Sequence, residues 1–272
     1  MLNEIEISGT KIGSAHSPYI VAEISANHNG SLQDAKCLIE AGKNVGVDAI
    51  KIQTYTPDTI TLRCNSGDFC IDEGLWRGRT LYELYEEAHT PWEWHKAMFD
   101  CAADAGLAIF SAPFDHSAVD FLETLDCPAY KIASFEIVDL PLIAKTAATR
   151  KPLIISTGMA SIGEIREAVE TARTAGASDI AVLHCVSGYP TPASDCHLAT
   201  IPNLADELDV LVGLSDHTLG TAVPVAAVAL GATIIEKHVT LRRSDGGPDA
   251  AFSLEPDELA QMVEACRTAS EA

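Results

Sequence analysis

Two stretches of this chain decide its fold: Gly213-Leu214-Ser215-Asp216-His217-Thr218 and Ile234-Ile235-Glu236-Lys237-His238-Val239. Each continues an apolar run and reaches a histidine. The same pattern recurs upstream, where apolar runs lead to Glu23, to Lys51 and to Lys131. Short apolar runs that are bounded by turn residues and separated by helix-length stretches are typical of buried parallel strands joined by crossover helices. Polar side chains therefore follow the predicted strands at one common end.

The chain contains about eight such runs, which is the number that lets a parallel sheet close into a barrel. Its 272 residues suit a single (β/α)8 TIM barrel, which needs about 250 residues. Helices that begin at Ser31 and Ser161 are predicted between strands, because each serine is a favourable N-cap before an amphipathic stretch. The predicted strands are Tyr19–Ile24, Ala49–Gln53, Leu107–Ser111, Ala129–Ala133, Leu153–Ser156, Ile180–Leu183, Val210–Leu214 and Thr233–Glu236.

Composition and charge restrict the class of protein. The formal net charge of −21 argues against nucleic acid or an anionic membrane as a partner, although it does not exclude a small anionic ligand in a cleft lined by lysine. No apolar run approaches the roughly 18 residues of a membrane span, and residues 1–11 do not read as a secretory signal. The eight scattered cysteines fit reduced thiols. We therefore expect a cytoplasmic enzyme or binding protein.

The connection from Thr54 to Pro91 is much longer than the other connections of the predicted barrel. It includes the aromatic stretch Leu75–Tyr82. Long excursions in compact domains are usually functional loops, and this one follows the second strand. We expect it to fold over the mouth of the barrel and to shape the choice of substrate.

Lys51 and Lys131 end two of the predicted strands, where an isolated buried ammonium group would be unfavourable. Two interpretations stay open for them. Each lysine either pairs with a neighbouring carboxylate such as Glu23 or Glu136, or it binds the phosphate or carboxylate of a ligand. Hydroxyl and backbone donors at neighbouring strand ends favour the second interpretation, although a serine there is often only a helix cap. These donors are Ser134, Ser156-Thr157-Gly158 and Ser187-Gly188-Tyr189.

His217 and His238 end adjacent strands, so closure of the barrel would bring both imidazole rings together beside Asp216 and Glu236. This arrangement predicts a site for a divalent metal, with hydrogen-bonded structural histidines as the alternative. The segment Asn27-His28-Asn29-Gly30 reads as a tight turn and not as a metal site. After the last strand, Asp249 either binds sugar hydroxyls or belongs to a solvated turn.

A set of motifs, in order along the chain, resembles the sialic acid synthase family. The motifs are Ala22-Glu23-Ile24, Asn27-His28-Asn29-Gly30, Lys51-Ile52-Gln53-Thr54, Tyr130-Lys131-Ile132-Ala133-Ser134, Ser156-Thr157-Gly158-Met159, Ser215-Asp216-His217-Thr218-Leu219-Gly220 and Glu236-Lys237-His238. Within that family, the chain is more similar to the branch that makes pseudaminic acid. The segments that carry this similarity are 24–27, 53–56, 81–85, 90–95 and 246–256.

The resemblance implies condensation of phosphoenolpyruvate with the open-chain aldehyde of an N-acetylated amino sugar, here 2,4-diacetamido-2,4,6-trideoxy-L-altrose, to give a nine-carbon 2-keto acid and phosphate. It implies a divalent ion, Mn²⁺ or Mg²⁺, held by His217 and His238, and Glu23 as a catalytic carboxylate with a raised pKa. The residues that it assigns to phosphoenolpyruvate are Lys51, Lys131, Ser134, Thr157, Ser187 and Tyr189. Those that it assigns to the sugar are Gln53, Glu136, Glu236 and Asp249.

The end of the sequence departs from the family pattern. Members usually continue into a small antifreeze-like domain, which crosses to a partner subunit and lends an arginine to the acetamido group of the sugar. This sequence ends at Ala272, directly after a predicted helix at 256–268. The expectation is one synthase barrel over residues 1–272, with a short N-terminal segment at 1–17 and no antifreeze-like domain. Whether the chain forms a homodimer stays open.

Three alternatives to the pseudaminic acid branch stay open. The first keeps the chemistry and changes the sugar, as in synthesis of N-acetylneuraminate or legionaminate. The second is a metal-dependent barrel hydrolase, which usually carries a His-x-His on its first strand, where this chain has Glu23. The third is a sugar or phosphate binder without turnover. Phosphate release that requires an amino-sugar aldehyde would separate the synthases from the other two.

Overall fold

The computed structural model describes residues 4–272, and its frame is a closed barrel of eight parallel strands. Each barrel strand pairs with the next one along the chain, and the last pairs with the first. All eight predicted strands are confirmed within two residues at either end, and with them the (β/α)8 barrel. The barrel strands are β3 (Tyr19–Glu23), β4 (Ala49–Thr54), β5 (Ala108–Pro113), β6 (Tyr130–Ile132), β7 (Leu153–Ser156), β8 (Ile180–Cys185), β9 (Leu211–Asp216) and β10 (Ile234–His238).

Helices lie between the strands, and local sequence sets where they begin. The Ser31 hydroxyl accepts a hydrogen bond from the Asp34 N–H, and Ser161 forms a capping box with Glu164, as the sequence predicted. The α-helices are α1 (Leu32–Val45), α2 (Pro57–Ile60), α3 (Leu81–Ala88), α4 (Trp92–Ala105), α5 (His116–Glu123), α6 (Leu140–Ala147), α7 (Ile162–Ala175), α8 (Thr200–Leu208), α9 (Ala222–Ala229) and α10 (Pro256–Glu271). Short 3₁₀ helices cover Ser25–His28, Gly67–Phe69, Ser134–Val138, Ala193–Asp195, Arg243–Asp245 and Ala250–Phe252.

A small antiparallel sheet precedes the barrel and was not predicted. Its strands are β1 (Ile5–Ile7) and β2 (Thr10–Ile12), which place Ile5, Ile7 and Ile12 in the hydrophobic core. The predicted segment 1–17 is thus partly ordered sheet, and its first three positions lie outside the described residues. Within residues 4–272, no helix is both long and apolar enough to cross a membrane.

The register of the barrel strands brings the predicted site residues to one level. Glu23 of β3 lies beside Lys51 of β4 on one side and beside His238 of β10 on the other. Side chains alternate along a strand, so these three point into the barrel while Lys237 points outward. At Gly213 a side chain would meet the Ile234 carbonyl at 2.4 Å, so glycine is needed for this strand to pack.

Candidate active site

A cavity of about 580 Å³ opens at the carboxyl ends of the barrel strands, which is the size of a small-molecule pocket. It is lined by eleven of the thirteen predicted site residues and not by Glu23 or Thr157. The eleven residues that line it are Lys51, Gln53, Lys131, Ser134, Glu136, Ser187, Tyr189, His217, Glu236, His238 and Asp249. The topology therefore gathers residues that are up to about two hundred positions apart in the chain.

Lys51 is buried between two carboxylates. Its Nζ lies 3.0 Å from Glu23 and 3.2 Å from Glu236, and both carboxylates are buried as well. Burial opposes the charge of Lys51, but these two partners raise its pKa. Burial raises the pKa of Glu23 to about 6, with Lys51 opposing the shift, so this carboxyl group takes up a proton more readily than an exposed one. The pairing interpretation thus holds for Lys51.

Lys131 is equally buried but has only neutral partners. Its Nζ donates to the Ser156 hydroxyl at 2.5 Å and to the Ile132 carbonyl at 3.1 Å. Among the described residues, 4–272, no carboxylate forms an ion pair with it. Burial accordingly lowers the pKa of Lys131. An anion that entered the cavity would supply the missing counter-charge.

Several polar atoms around the cavity are buried and have no hydrogen-bond partner among residues 4–272. They include the Glu136 Oε2, the Ser187 hydroxyl, the Glu236 Oε2 and the His238 Nδ1. Burial raises the pKa of Glu136 to about 7. Because buried polar atoms are normally satisfied, a cluster of unsatisfied ones at one cavity indicates that a polar ligand completes them.

His217 and His238 converge as predicted, with ring centroids 5.3 Å apart. The His217 Nδ1 lies 3.1 Å from the Val186 carbonyl, which fixes the hydrogen on Nδ1 and leaves Nε2 free to bind a metal. Burial lowers the pKa of His238 well below its ordinary value, so its ring is neutral and able to act as a ligand. The described residues contain no cluster of three or more metal-binding side chains. The two histidines fit an open site that water and substrate would complete.

The long excursion after β4 does fold over the barrel mouth, which confirms that part of the prediction. The Trp76 indole N–H donates to the Pro248 carbonyl at 2.8 Å, and its ring lies 5.4 Å from the Tyr189 ring. Leu75 and Tyr85 from the same excursion also line the cavity. One wall of the cavity is therefore apolar and aromatic.

Glu23 and Thr157 sit just outside the cavity for different reasons. Glu23 is fully buried behind Lys51 and the Gln53 side chain. Thr157 follows the end of β7, and its hydroxyl accepts a hydrogen bond from the Cys185 N–H at 3.2 Å. Alternation along β7 turns Ser156 inward, so that Ser156 lines the cavity where Thr157 does not. A contact between Thr157 and phosphoenolpyruvate stays a prediction.

The cavity residues to which sequence reasoning assigned no role include Ser25, Cys185 and Ser215. For Ser215 a signal was available, because it lies two positions before His217 and therefore faces the same side of its strand. For Cys185 the sequence indicated only one of eight reduced thiols. It lies 4.0 Å from the His217 Nδ1, and although burial alone would raise its pKa, His217 brings the pKa down to about 7.

The segment after β3 forms the predicted turn. Ser25–His28 is a 3₁₀ helix, and Asn29 follows in the left-handed conformation. His28 is buried against the edge of Trp94, and its Nδ1 accepts from the Gly30 N–H. It does not line the cavity, in agreement with the turn interpretation.

A closed parallel barrel, with its polar residues gathered in one cavity at the carboxyl ends of the strands, is the architecture of a (β/α)8-barrel enzyme. Within that class the chain belongs to the NeuB family, whose model matches residues 38–272.

Individual relatives agree with this assignment. The chain is 47% identical over 250 residues to the pseudaminic acid synthase of Helicobacter pylori, a match that covers 92% of this chain and 74% of the relative. It is 48% identical over 254 residues to the pseudaminic acid synthase of Campylobacter jejuni, which covers 93% and 74%. Among solved structures, the N-acetylneuraminic acid synthetase of Leptospira borgpetersenii superposes with a TM-score of 0.91 at 30% identity, covering 100% of this chain and 90% of that one.

Proposed function

We propose that this protein condenses phosphoenolpyruvate with the open-chain aldehyde of an N-acetylated amino sugar to form a nonulosonic acid and phosphate. The product that we propose is pseudaminic acid. The two relatives named as pseudaminic acid synthases support this choice, because each shares nearly half of its aligned residues with this chain.

Lys131 is the observation that carries the proposal. Its ammonium group is buried in the cavity, and in the part of the chain that the structure describes no carboxylate forms an ion pair with it, although the net charge of the molecule is −21. Phosphoenolpyruvate brings a phosphate and a carboxylate, and either group would compensate that charge. Lys51 lies at the same cavity, but its charge is already shared between Glu23 and Glu236. An anionic group therefore fits beside Lys131 better than a neutral one.

The reaction joins carbon three of phosphoenolpyruvate to the aldehyde carbon, adds water to carbon two, and breaks the bond from carbon two to the phosphate oxygen. We assign the proton transfers to Glu23. Its pKa of about 6 lets it hold or release a proton near neutral pH. Gln53 donates to the same carboxylate at 3.0 Å and so fixes its orientation. Lys131, Ser134, Ser156 and Ser187 would hold the phosphate and carboxylate of the substrate.

His217 and His238 are the residues that would hold a divalent ion, Mn²⁺ or Mg²⁺. When bound, such an ion supplies a Lewis acid for the aldehyde oxygen. The chain itself prepares the two ligands, because the Val186 carbonyl sets the tautomer of His217 and burial keeps His238 neutral. A hydrolase is less well supported, since this cavity combines the two histidines with two buried lysines.

The aromatic wall bears on the choice of sugar. Leu75, Trp76 and Phe114 line the cavity with apolar surface. Such a surface suits a sugar whose last carbon is a methyl group, as in 2,4-diacetamido-2,4,6-trideoxy-L-altrose, better than one that ends in a hydroxymethyl group. Synthesis of N-acetylneuraminate or legionaminate is the alternative outcome.

The test measures phosphate release from phosphoenolpyruvate with each candidate aldehyde in turn, with and without Mn²⁺, and identifies each product by mass spectrometry. We expect release only when an amino-sugar aldehyde and the ion are both present, fastest with the trideoxy-altrose. A Lys51→Ala variant, assayed under the same conditions, should lose most of the rate of phosphate release. Phosphate release without any aldehyde, or a Lys51→Ala variant at the full rate, would contradict the proposal. If N-acetylmannosamine is turned over faster than the trideoxy-altrose, the product of this protein is N-acetylneuraminate instead of pseudaminic acid.

A further inference from the structure

Ser25, the second residue after β3, has an unusual backbone conformation. Its φ is +45°, in the left-handed region that favours glycine and, among other residues, asparagine and aspartate. The residue is buried and lines the cavity. Strained backbone of this kind persists only where the surrounding structure enforces it, and it is often found at functional sites. A glycine would fit the backbone more easily, so the serine side chain requires an explanation.

The Ser25 hydroxyl fixes the orientation of Gln53. The Gln53 amide nitrogen donates to the Ser25 hydroxyl at 3.0 Å and to the Glu23 carboxylate at 3.0 Å. Because an ionised carboxylate only accepts hydrogen bonds, the nitrogen must be the atom that faces Glu23. Both amide hydrogens are then used. The Gln53 carbonyl oxygen is left to accept a hydrogen bond from a ligand.

The same hydroxyl also acts on Asp249, in the loop after β10. Since it accepts from Gln53, its own hydrogen is available to the Asp249 carboxylate, with which it interacts. The Ala26 N–H, which follows the left-handed residue, points at the same carboxylate at 3.4 Å. Asp249 is buried at the cavity, where burial raises its pKa and the Ser25 hydroxyl and the Ala26 N–H oppose that rise by donating to the carboxylate.

Contacts outside the cavity hold Ser25 in this conformation. The Asn27 side chain donates to the Val239 carbonyl and to the Ser253 hydroxyl, both at 2.8 Å. Ser253 in turn donates to the Asp249 carbonyl at 2.7 Å. The turn after β3 and the loop after β10 are therefore tied together next to the cavity. This network overcomes the strain at Ser25 and keeps its hydroxyl between Gln53 and Asp249.

We propose that Ser25 is a positioning residue for the sugar. Its hydroxyl holds the Gln53 carbonyl and the Asp249 carboxylate in place as two acceptors for hydroxyl or acetamido N–H groups of the sugar. The inference rests on the proposed function, because it assigns these two side chains to the aldehyde substrate. The effect should be confined to the sugar, since among residues 4–272 the Ser25 hydroxyl forms no hydrogen bond with Lys131 or with Ser156, which accepts from Lys131.

The experiment compares Ser25→Gly with Ser25→Ala, because both remove the hydroxyl but only glycine relieves the backbone strain. Ser8→Gly is the matched control: Ser8 has a φ of +50° but is exposed in the turn between β1 and β2. Michaelis constants are measured for both substrates, together with thermal unfolding. We expect both Ser25 variants to raise KM for the sugar about tenfold, the size of one lost hydrogen bond to a charged group, and to leave KM for phosphoenolpyruvate unchanged. Ser8→Gly should change neither constant.

A purely structural role gives a different result. Ser25→Gly would then keep the wild-type KM for the sugar, and this outcome overturns the inference, as does an equal rise in both constants. If the wild-type protein forms no product with any aldehyde, the proposed function fails by itself. The inference is then decided by a crystal structure of Ser25→Gly: it holds if the Gln53 amide leaves Glu23 or Asp249 turns away, and it fails if both stay in place.

Discussion

Two lysines of this barrel are equally buried but differ in their surroundings. Lys237 points outward from β10 and forms an ion pair with Asp216, and it also donates to the Thr218 carbonyl. Lys131 points into the cavity and has only a hydroxyl and a carbonyl for partners. The first lysine has its counter-charge built into the fold, whereas the second one lacks it. The difference indicates that Lys237 stabilises the protein and that Lys131 binds a ligand.

The position of each lysine relative to its strand explains the contrast. Lys237 lies between Glu236 and His238, which both face the cavity, so alternation turns it toward the helices. There it must be neutralised within the protein, and Asp216 lies beside it in the register of β9 and β10. This pair also ties together the two strand ends that carry His217 and His238.

The largest expected effect is on turnover by Lys131→Met. Because the cation would stabilise negative charge on the substrate phosphate, we expect kcat/KM for phosphoenolpyruvate to fall by about 10³-fold. The free energy of unfolding should not decrease, since the variant removes a buried charge with which no carboxylate among residues 4–272 forms an ion pair. Steady-state kinetics and urea unfolding measure the two quantities. If the variant kept a kcat/KM comparable to that of the wild type, the proposed difference in role between Lys131 and Lys237 would be contradicted.

Lys237→Met should have the opposite pattern. It leaves Asp216 buried without its counter-charge, with only the Thr218 N–H and hydroxyl as donors, which costs about 3–5 kcal/mol of unfolding free energy. The double variant Asp216→Asn with Lys237→Met should recover part of this loss. Lys96→Met is the control, because Lys96 pairs with Asp100 on an exposed helix face and such pairs contribute less than about 0.5 kcal/mol. Urea unfolding of the three variants measures how much unfolding free energy each of them loses. A Lys237→Met protein as stable as Lys96→Met would contradict the assignment.

Glu136 is the carboxylate that the sequence offered as a partner for Lys131. The pH dependence of protein stability that Glu136 causes tests whether the two form a pair. Its pKa is raised by burial to about 7 from 4.5, so the folded protein binds a proton that the unfolded chain releases. This contribution to stability is fully present below about pH 4.5 and is lost as the pH rises through 7, a change on the order of 2–3 kcal/mol.

We therefore expect Glu136→Gln to lose less stability than the wild type between pH 4.5 and 8, and to be the more stable protein at pH 8. Denaturant unfolding across this range measures both quantities. If Glu136 were the counter-ion of Lys131, the variant would be less stable at pH 8, and the contrast between the two lysines would disappear.

Strands and their ends could be predicted from the sequence because burial on both faces leaves continuous apolar runs, as in Ile180–Leu183. Lys51, Lys131, His217 and His238 were found for the same reason, since the polar residue that ends such a run lies at the barrel mouth, and the resemblance to the family supplied the other cavity residues. The sequence could not distinguish Lys51, which has two carboxylate partners, from Lys131, which has none. That difference depends on which strands become neighbours and on their register.

The backbone conformation of Ser25 could not be predicted from the sequence either. No pattern marks Ser25 as left-handed, because its φ is imposed by contacts from a loop more than two hundred residues later in the chain. Ser156 and Thr157 were adjacent candidates, and only the exact end of β7 decides which hydroxyl faces the cavity. The N-terminal hairpin was missed because its strands are three residues each, too short for a periodic pattern.

Binding of phosphoenolpyruvate tests the central claim most directly, because it isolates the charge of Lys131 from the later chemistry. Isothermal titration calorimetry with the wild-type protein, Lys131→Met and Lys96→Met gives the three dissociation constants. We expect Lys131→Met to bind phosphoenolpyruvate about 100-fold more weakly than the wild type, and Lys96→Met to bind it equally well. Equal affinity in all three proteins, or no binding by the wild type, would contradict the account.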